Sequence, residues 1–192
     1  MLKKVFGRFF RKRSPQGAEK IATKGTAEIE NDRVLEDLEK QPEIVARNYK
    51  HVWFDGPDIR SIDCGLLYNP KYFKVIYAES LTVDIAKSGE KGGKTRDILH
   101  VCGNLLGDTV HVFVNHWPSR RGGEAASAPL RAIAAGVCKR VIDSLMSENP
   151  ATKAIIMGDL NDDPTSPSVK NVLGAKEEKS ATAFNEIYNP WI

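Results

Sequence analysis

The sequence predicts one layered α/β domain with mixed β-sheets. Its predicted elements follow one another in the order strand, strand, hairpin, helix and strand, which is typical of helices packed against sheets. A chain of 192 residues, of which 41% are hydrophobic, can bury one sizeable core. The sequence contains no visible internal repeat or low-complexity tract. We therefore expect a single soluble globular domain.

Composition excludes several classes of protein. The formal net charge of +3 is too small to indicate a nucleic-acid binder, although it would not repel a phosphate-bearing substrate. The three cysteines, Cys64, Cys102 and Cys138, lack the spacing of a zinc site. No apolar run approaches the ~20 residues that cross a bilayer, and the start lacks a signal-peptide core. Composition thus predicts no transmembrane segment, indicates no obligate protein partner and leaves the compartment open.

Residues 1–25 are interpreted as a separate basic segment, either amphipathic or poorly ordered. Apolar residues recur there at helical spacing among lysines and arginines: Leu2, Val5, Phe6, Phe9 and Phe10. This pattern predicts a short amphipathic helix. Such a helix can pack its phenylalanine stripe on the domain or lie on a membrane surface. We favour a helix packed on the domain or a poorly ordered start over a membrane-surface role.

The domain itself is assigned to residues 26–192. It opens with TAEIEN, which we interpret as an acidic turn that contains two glutamates. A helix follows, with Asn31 or Asp32 as its cap and an apolar face that ends near Pro42. The carboxylates of TAEIEN are therefore expected just before that helix.

Strands are predicted in the middle of the chain. GLLYNP and FKVIYAESLTV are apolar or alternating runs, which we interpret as two strands joined by a short turn. Gly107 and Asp108 then separate two further apolar runs, which predicts a hairpin. Its second strand, residues 110–114, is followed by NHWP.

One long helix and one further strand complete the predicted elements. Pro129 is predicted to start the helix, because its missing amide proton would have no partner in the first turn. Apolar residues then recur at three- and four-residue spacing up to Leu145, and Asn149 and Pro150 end the helix. The run AIIM is apolar at every position and predicts a strand buried on both faces.

The stretch AIIMGDLNDDPTSPS places carboxylates directly after that strand. An EF-hand calcium loop is excluded, because Pro164 stands where the glycine is needed and Lys170 where the bidentate glutamate is needed. A turn in which Asp and Asn side chains bond their own backbone is an alternative. The end of a strand in an α/β sheet is, however, where ligands usually bind. We therefore favour a functional loop.

A second polar segment, NHWPSRRGG, ends another apolar strand. Arginine side chains and free backbone amides suit phosphate oxygens. A lone histidine at such a position is more often structural. Combined with the Asp/Asn loop and with TAEIEN, it supplies the residue types of metal-assisted phosphoester hydrolysis.

Four segments, GDLNDDPTSPS, NHWPSRRGG, AEIENDRVLEDL and IDCGLLYNPKYF, together resemble the endonuclease/exonuclease/phosphatase superfamily, which has a deoxyribonuclease-I-like fold. The resemblance covers residues 26–192. It implies a four-layer sandwich of two packed mixed β-sheets flanked by helices, incomplete in this chain. It also implies a metal-dependent hydrolase of phosphoester bonds, with an active site at one edge of the sandwich.

The resemblance also implies roles for particular residues. Glu28 would bind Mg²⁺, or Mn²⁺ as an alternative, and Glu30 takes its place if the register is shifted. The resemblance implies that His116 stabilises or protonates a phosphate oxygen, that Asp159 orients or activates the attacking water and that Asn161 holds the scissile phosphate. Asn115 and Arg120 are the implied substrate contacts. Asp162 and Asp163 are interpreted as turn formers.

The chain departs from the family pattern in two places. Members usually begin with a strand that ends in a metal-binding asparagine and finish with an Asp-His pair, and neither is recognisable here. These departures predict a truncated product with low or absent hydrolysis by itself.

The substrate class stays open at the level of sequence. We expect a phosphate ester, with DNA among the candidates and an endonuclease-like phosphodiesterase as the leading interpretation. Phosphatase or sphingomyelinase-like activity on the same fold is an alternative. A catalytically dead module that binds anions or nucleic acid through the Arg120 and Arg121 loop is another.

Overall fold

The computed structural model describes residues 22–86, 94–183 and 186–191. Its strands are β1 (Thr23–Ile29), β2 (Lys50–Trp53), β3 (Asp63–Tyr68), β4 (Phe73–Leu81), β5 (Ile98–Leu105), β6 (Asp108–His116) and β7 (Lys153–Asp159). Its α-helices are α1 (Asp32–Glu39), α2 (Pro42–Val45) and α3 (Glu124–Glu148), followed by a π-helical segment (Ser168–Val172) and a 3-10 turn (Lys179–Ala181). The amphipathic helix predicted near the start falls in residues 1–21, outside the described residues.

The first sheet contains three antiparallel strands in the order β1-β3-β2. TAEI lies within β1, so its interpretation as a turn was wrong; the strand begins at Thr23 and alternates only partly in burial. The pairing of β1 with β3 shifts register between Thr26 and Ile29. Glu28 lies within this irregularity with a φ of 60°, and its side chain is exposed. The bulge therefore presents a carboxylate at the end of β1.

The second sheet contains four strands in the order β4-β5-β6-β7. The predicted hairpin is confirmed as β5 and β6, with Leu106 and Gly107 at positive φ in the turn. β6 is longer than predicted and includes Asn115 and His116. β7 pairs with β6 in parallel, and the 25-residue helix α3 connects the two strands. Two strands that are parallel neighbours end at the same edge of their sheet.

Three apolar clusters separate four layers, which confirms the predicted sandwich with helices outside two sheets. One cluster joins α1 to the first sheet through residues such as Leu35 and Leu67. A second fills the space between the sheets, with Leu66, Val112 and Met157. A third packs α3 and the π-helical segment on the second sheet. None of the described helices is long and apolar enough to cross a membrane.

Two sequence predictions about the last elements were wrong in detail. Pro129 lies inside α3, which begins at Glu124, because contacts that leave no periodic signal hold the first turn: Ser127 Oγ donates to the Gly123 carbonyl at 2.7 Å. The strand around AIIM is half-buried, with Met157 as its buried apolar residue. Among the described strands β7 lies at the edge of its sheet, so it has a neighbour on one side only.

Candidate active site

The carboxyl ends of β6 and β7 bring two candidate catalytic residues together. His116 is the last residue of β6, Asp159 is the last residue of β7, and the parallel register pairs them directly. Gly158 makes this close pairing possible. Its φ is 119°, and a Cβ atom at this position would lie 2.0 Å from the main-chain oxygen of Asn115. A side chain there would force the two strands apart.

The backbone of Trp117 connects the two strand ends. Its amide donates to the Asp159 carbonyl at 3.0 Å, and its carbonyl accepts a hydrogen bond from Asn161 Nδ2 at 2.9 Å. Asn161 N in turn donates to Asp159 Oδ1 at 2.9 Å. These contacts orient the Asp159 carboxylate and bring Asn161 beside it, at a left-handed φ of 50°.

His116 is buried and uncharged near neutral pH. The pKa of its imidazole is lowered to about 4, chiefly by burial and next by the positive charge of Arg96, while the negative charge of Asp159 opposes the shift. Within the described residues, its Nδ1 is buried without a hydrogen-bond partner. A buried polar atom without a partner is costly, so a ligand or water that formed a hydrogen bond with this nitrogen would be favoured.

Asn115 is fully buried, and its amide group bonds to other parts of the protein. Its Nδ2 donates to the carbonyls of Phe113 and Met157, while its Oδ1 accepts from Trp117 Nε1 at 2.8 Å and from Cys138 Sγ at 3.2 Å. A direct contact with substrate would require some of these bonds to break. The predicted substrate contact of Asn115 therefore stays a prediction, with a structural role as the alternative.

Arg120 lies beside the loop after β7 and is engaged by its acidic residues. Its guanidinium pairs with Asp163 at 2.8 Å and with Glu124 at 3.2 Å, and its Nε donates to the Asn161 carbonyl at 3.3 Å. The side chain is 46% exposed. Arg120 is thus close to the candidate site, and its predicted contact with substrate remains untested.

Asp162 does more than form a turn. It is almost fully buried and pairs with the buried Arg131 of α3 at 3.0 Å, while Ser168 donates to the same carboxylate oxygen. Burial raises the pKa of Asp162, but the hydrogen bonds from Ser168 and Arg131 outweigh it and the net shift is downward. This pair fixes the loop to α3.

Glu28 is the predicted metal ligand, and it fits Mg²⁺ as a single exposed carboxylate. Within the described residues, no three or more His, Cys, Asp or Glu side chains form a group that could hold a metal. Mg²⁺ often binds proteins through one or two carboxylates and keeps several waters, so one ligand suffices for a site completed by substrate. Glu30 is also exposed, and the choice between the two glutamates is untested.

Sequence reasoning missed a charged group beside this site. Asp58 and Arg60 lie in the connection between β2 and β3, and Arg96 lies just before β5. Arg96 donates to the carbonyls of His116 and Trp117. Gly56 and Pro57 signal a turn near Asp58, but nothing in the sequence indicates its pairing with Arg96, which is 38 residues away.

The sequence profile of the Endonuclease/Exonuclease/phosphatase family matches residues 6–192. The chain belongs to this family. The match spans nearly the whole sequence and agrees with the sandwich and with the motifs at its edge. Enzymes of the family hydrolyse phosphoester bonds and generally use divalent metals.

Solved structures share the fold of this family member. A truncated TDP2 from Caenorhabditis elegans is 20% identical, with coverages of 74% of this chain and 50% of the truncated chain and a TM-score of 0.55. The human Nocturnin catalytic domain is 16% identical, with coverages of 78% and 55% and a TM-score of 0.59. ANGEL2, described as a 2',3'-cyclic phosphatase, is 12% identical, with coverages of 80% and 43% and a TM-score of 0.61. The chain therefore spans about half the length of these structures. No curated protein sequence matches it significantly.

Proposed function

We propose that this chain is a divalent-metal-dependent phosphodiesterase that acts on nucleic-acid phosphodiesters, as an endonuclease does. The observation that carries the proposal is the pairing of His116 with Asp159 at the ends of two parallel strands. The buried imidazole nitrogen without a partner lies at the same place. The candidate general base and hydrogen-bond donor are thereby held on two strands, and the amide side chain of Asn161 lies two residues beyond β7.

Each of the three residues has a role that its geometry supports. Asp159 accepts the proton of the attacking water, because one of its oxygens is fixed by the Asn161 amide and the carboxylate is thereby oriented. His116 donates a hydrogen bond to a phosphate oxygen as a neutral imidazole. Asn161 has a second Nδ2 hydrogen for the phosphate, beyond the one bonded to Trp117. A metal at Glu28, when bound, would offset the charge that develops on the phosphate.

Other substrates and one other class of function remain alternatives. TDP2 from Danio rerio has been crystallised with a single-stranded DNA product, which supports a nucleic-acid substrate here by analogy. Phosphatase or sphingomyelinase-like activity would use the same three residues. An anion-binding module without catalysis would use Arg120, whose guanidinium pairs with Asp163 and Glu124.

Hydrolysis tests the catalytic part of the proposal. We expect the chain to hydrolyse bis-p-nitrophenyl phosphate slowly in the presence of Mg²⁺, and we expect Asp159→Asn to lower the rate at least about 100-fold, since the variant has lost its general base. Asp108→Asn is the matched control, because Asp108 is an exposed aspartate at the opposite end of β6. A wild-type rate no higher than that of Asp159→Asn would contradict catalysis by this chain.

Metal binding tests the role of Glu28. Titration with Mn²⁺, followed by electron paramagnetic resonance, should show an affinity at least about tenfold lower in Glu28→Ala, because a ligand is lost. Glu30→Ala tests whether Glu30 is the ligand in place of Glu28. Glu36→Ala on the exposed face of α1 is the control. Equal affinities in all four proteins would mean that neither candidate glutamate binds the metal. The anion-binding alternative predicts this result, together with anion binding that falls steeply with salt.

A further inference from the structure

Asp58, Arg60 and Arg96 form a connected group of charges at the site edge of the sandwich. Asp58 accepts hydrogen bonds from Arg60 N and Nε, both at 2.9 Å, and from Arg60 Nη2 at 2.8 Å. Arg96 Nη1 donates to the same carboxylate at 3.2 Å. The function proposed above uses none of these three residues.

The group is anchored to the catalytic strand end. Arg96 Nε donates to the His116 carbonyl at 2.9 Å, and Nη2 donates to the Trp117 carbonyl at 2.6 Å. Because Asp58 belongs to the first sheet's β2–β3 connection and Arg96 leads into the second sheet, their ion pair joins the two sheets at the site. Any position that Asp58 fixes is therefore fixed relative to His116.

Arg60 is held in place on its own side as well. Ser61 N donates to the Asp58 carbonyl at 2.9 Å, and Ser61 has a left-handed φ of 49°, so the chain turns tightly around Arg60. The two-pronged contact with Asp58 orders the guanidinium before any ligand arrives. Ordering of a long side chain in advance lowers the entropic cost of binding.

The charges of the group do not cancel. The hydrogen bonds from Arg60 keep the pKa of Asp58 low, at about 2, despite burial. One carboxylate against two guanidinium groups leaves one positive charge in excess. Arg96 has a side chain that is 4% exposed and cannot reach a ligand, whereas the Arg60 side chain is 51% exposed. The excess positive charge is therefore exposed to solvent, and accessible to a ligand, at the Arg60 guanidinium.

Arg60 also interacts electrostatically with the two residues proposed to act on phosphate and metal. The negative charge of Glu28 raises the pKa of Arg60, after the larger effect of Asp58, and the charge of Arg60 contributes to the lowered pKa of His116. In the described part of the chain, the ion-pair partner of Arg60 is Asp58 and not Glu28. Arg60 is also connected to the end of β6 by direct contacts, because Asp58 accepts from Arg96 and Arg96 donates to the His116 carbonyl.

We propose that the Arg60 guanidinium binds a non-bridging oxygen of the substrate phosphate, and that Asp58 and Arg96 are its positioning residues. This inference rests on the proposed function for the identity of the substrate. Arginine suits the role because its planar fork can bond Asp58 along one edge and still present N–H groups to phosphate.

Binding of inorganic phosphate without metal tests the proposal separately from hydrolysis. Phosphorus NMR of phosphate titrated with protein in EDTA should show binding to the wild type. Arg60→Gln should weaken it about tenfold to a hundredfold, because a charge-assisted hydrogen bond is lost. Arg60→Lys should weaken it less, since the charge is kept. Arg140→Gln on the exposed surface of α3 should leave it unchanged. No binding to the wild type, or equal binding in Arg60→Gln, would overturn the proposal.

A double-mutant cycle tests the positioning role of Asp58. Asp58→Asn should weaken phosphate binding, but the double variant Asp58→Asn/Arg60→Gln should bind no more weakly than Arg60→Gln alone. A role of Asp58 in folding alone predicts a further loss in the double variant, and that result would remove Asp58 from the proposal. Should the wild type bind phosphate in an Arg60-dependent way and yet fail to hydrolyse diesters, the proposed function fails and this inference stands.

Discussion

At the scale of the residue, His116 shows how burial sets the form of a candidate catalytic group. Its side chain is almost fully enclosed, and desolvation is the largest cause of its lowered pKa. A neutral imidazole has one N–H to donate and does not repel a bound cation nearby. This form suits the proposed role of His116, which is to donate a hydrogen bond to a phosphate oxygen at a site that also binds a metal.

The lowered pKa has a consequence for stability. The unfolded chain takes up a proton near pH 6.5 and the folded chain only near pH 4, so folding becomes less favourable as the pH falls through this range. The contribution of His116 is of the order of 3 kcal/mol. Urea unfolding at pH 4.5 and pH 7 should therefore show a smaller pH dependence in His116→Gln than in the wild type. An unchanged difference between the two pH values would show that His116 titrates normally.

At the scale of the element, the approach of β7 to β6 depends on one glycine. Gly158 combines a positive φ with a main-chain neighbour that a Cβ atom would strike. The strand ends meet because this position has no side chain. The same position precedes Asp159 directly, so the geometry of the candidate base depends on it.

Two glycine-to-alanine variants should have opposite effects. Gly158→Ala should lower the free energy of unfolding by about 3 kcal/mol, because the strand must shift and the backbone is strained. Gly136→Ala lies within α3, where the nearest atom to a new Cβ is 3.6 Å away, and it should stabilise the protein by about 0.5–1 kcal/mol. Chemical denaturation measures both values. Similar stabilities in the two variants would contradict the close approach at Gly158.

The loop after β7 shows a second element-level feature. The Asn161 side chain donates to the Trp117 carbonyl, Asp162 forms a buried ion pair with Arg131 of α3, and Arg120 pairs with Asp163 on the outer side of the loop. The loop is thus held from two sides by arginines that flank the start of α3. This explains how a polar segment at a strand end keeps a defined shape.

At the scale of the whole molecule, the charged groups of the candidate site lie at one edge of the four-layer sandwich. Apolar clusters hold the layers face to face, while Arg96 and Asp58 connect the two sheets where the candidate site lies. The proposed metal ligand Glu28 comes from the first sheet, and His116 and Asp159 come from the second. A site that uses all three residues depends on how the sheets are packed against each other.

The sequence by itself determined the elements whose signals are local. The periodicity of α3 and the Gly107 turn of the hairpin were sufficient to predict a helix and a hairpin, because spacing within a single element decides which face is buried. The apolar run of β7 predicted a strand but not its half-buried position at the sheet edge. The motifs around His116 and Asp159 were visible for the same reason. The interpretation of TAEI as a turn was wrong, since a short strand with an irregular register has no clear alternation. The prediction that α3 begins at Pro129 was also wrong, because the helix begins at Glu124.

Only the tertiary structure decided which charged residues meet. Three pairings join segments that are distant in the chain: Asp58 with Arg96, Asp162 with Arg131, and the Asn115 amide with Cys138. The contact of the Asn115 amide with Trp117 lies within one motif, but its spacing does not predict it. No periodicity encodes such contacts, because a buried charge is stabilised by whichever partner the packing of the layers brings to it. For that reason the sequence showed the candidate base and histidine, whereas the arginine proposed to bind phosphate emerged only from the folded chain.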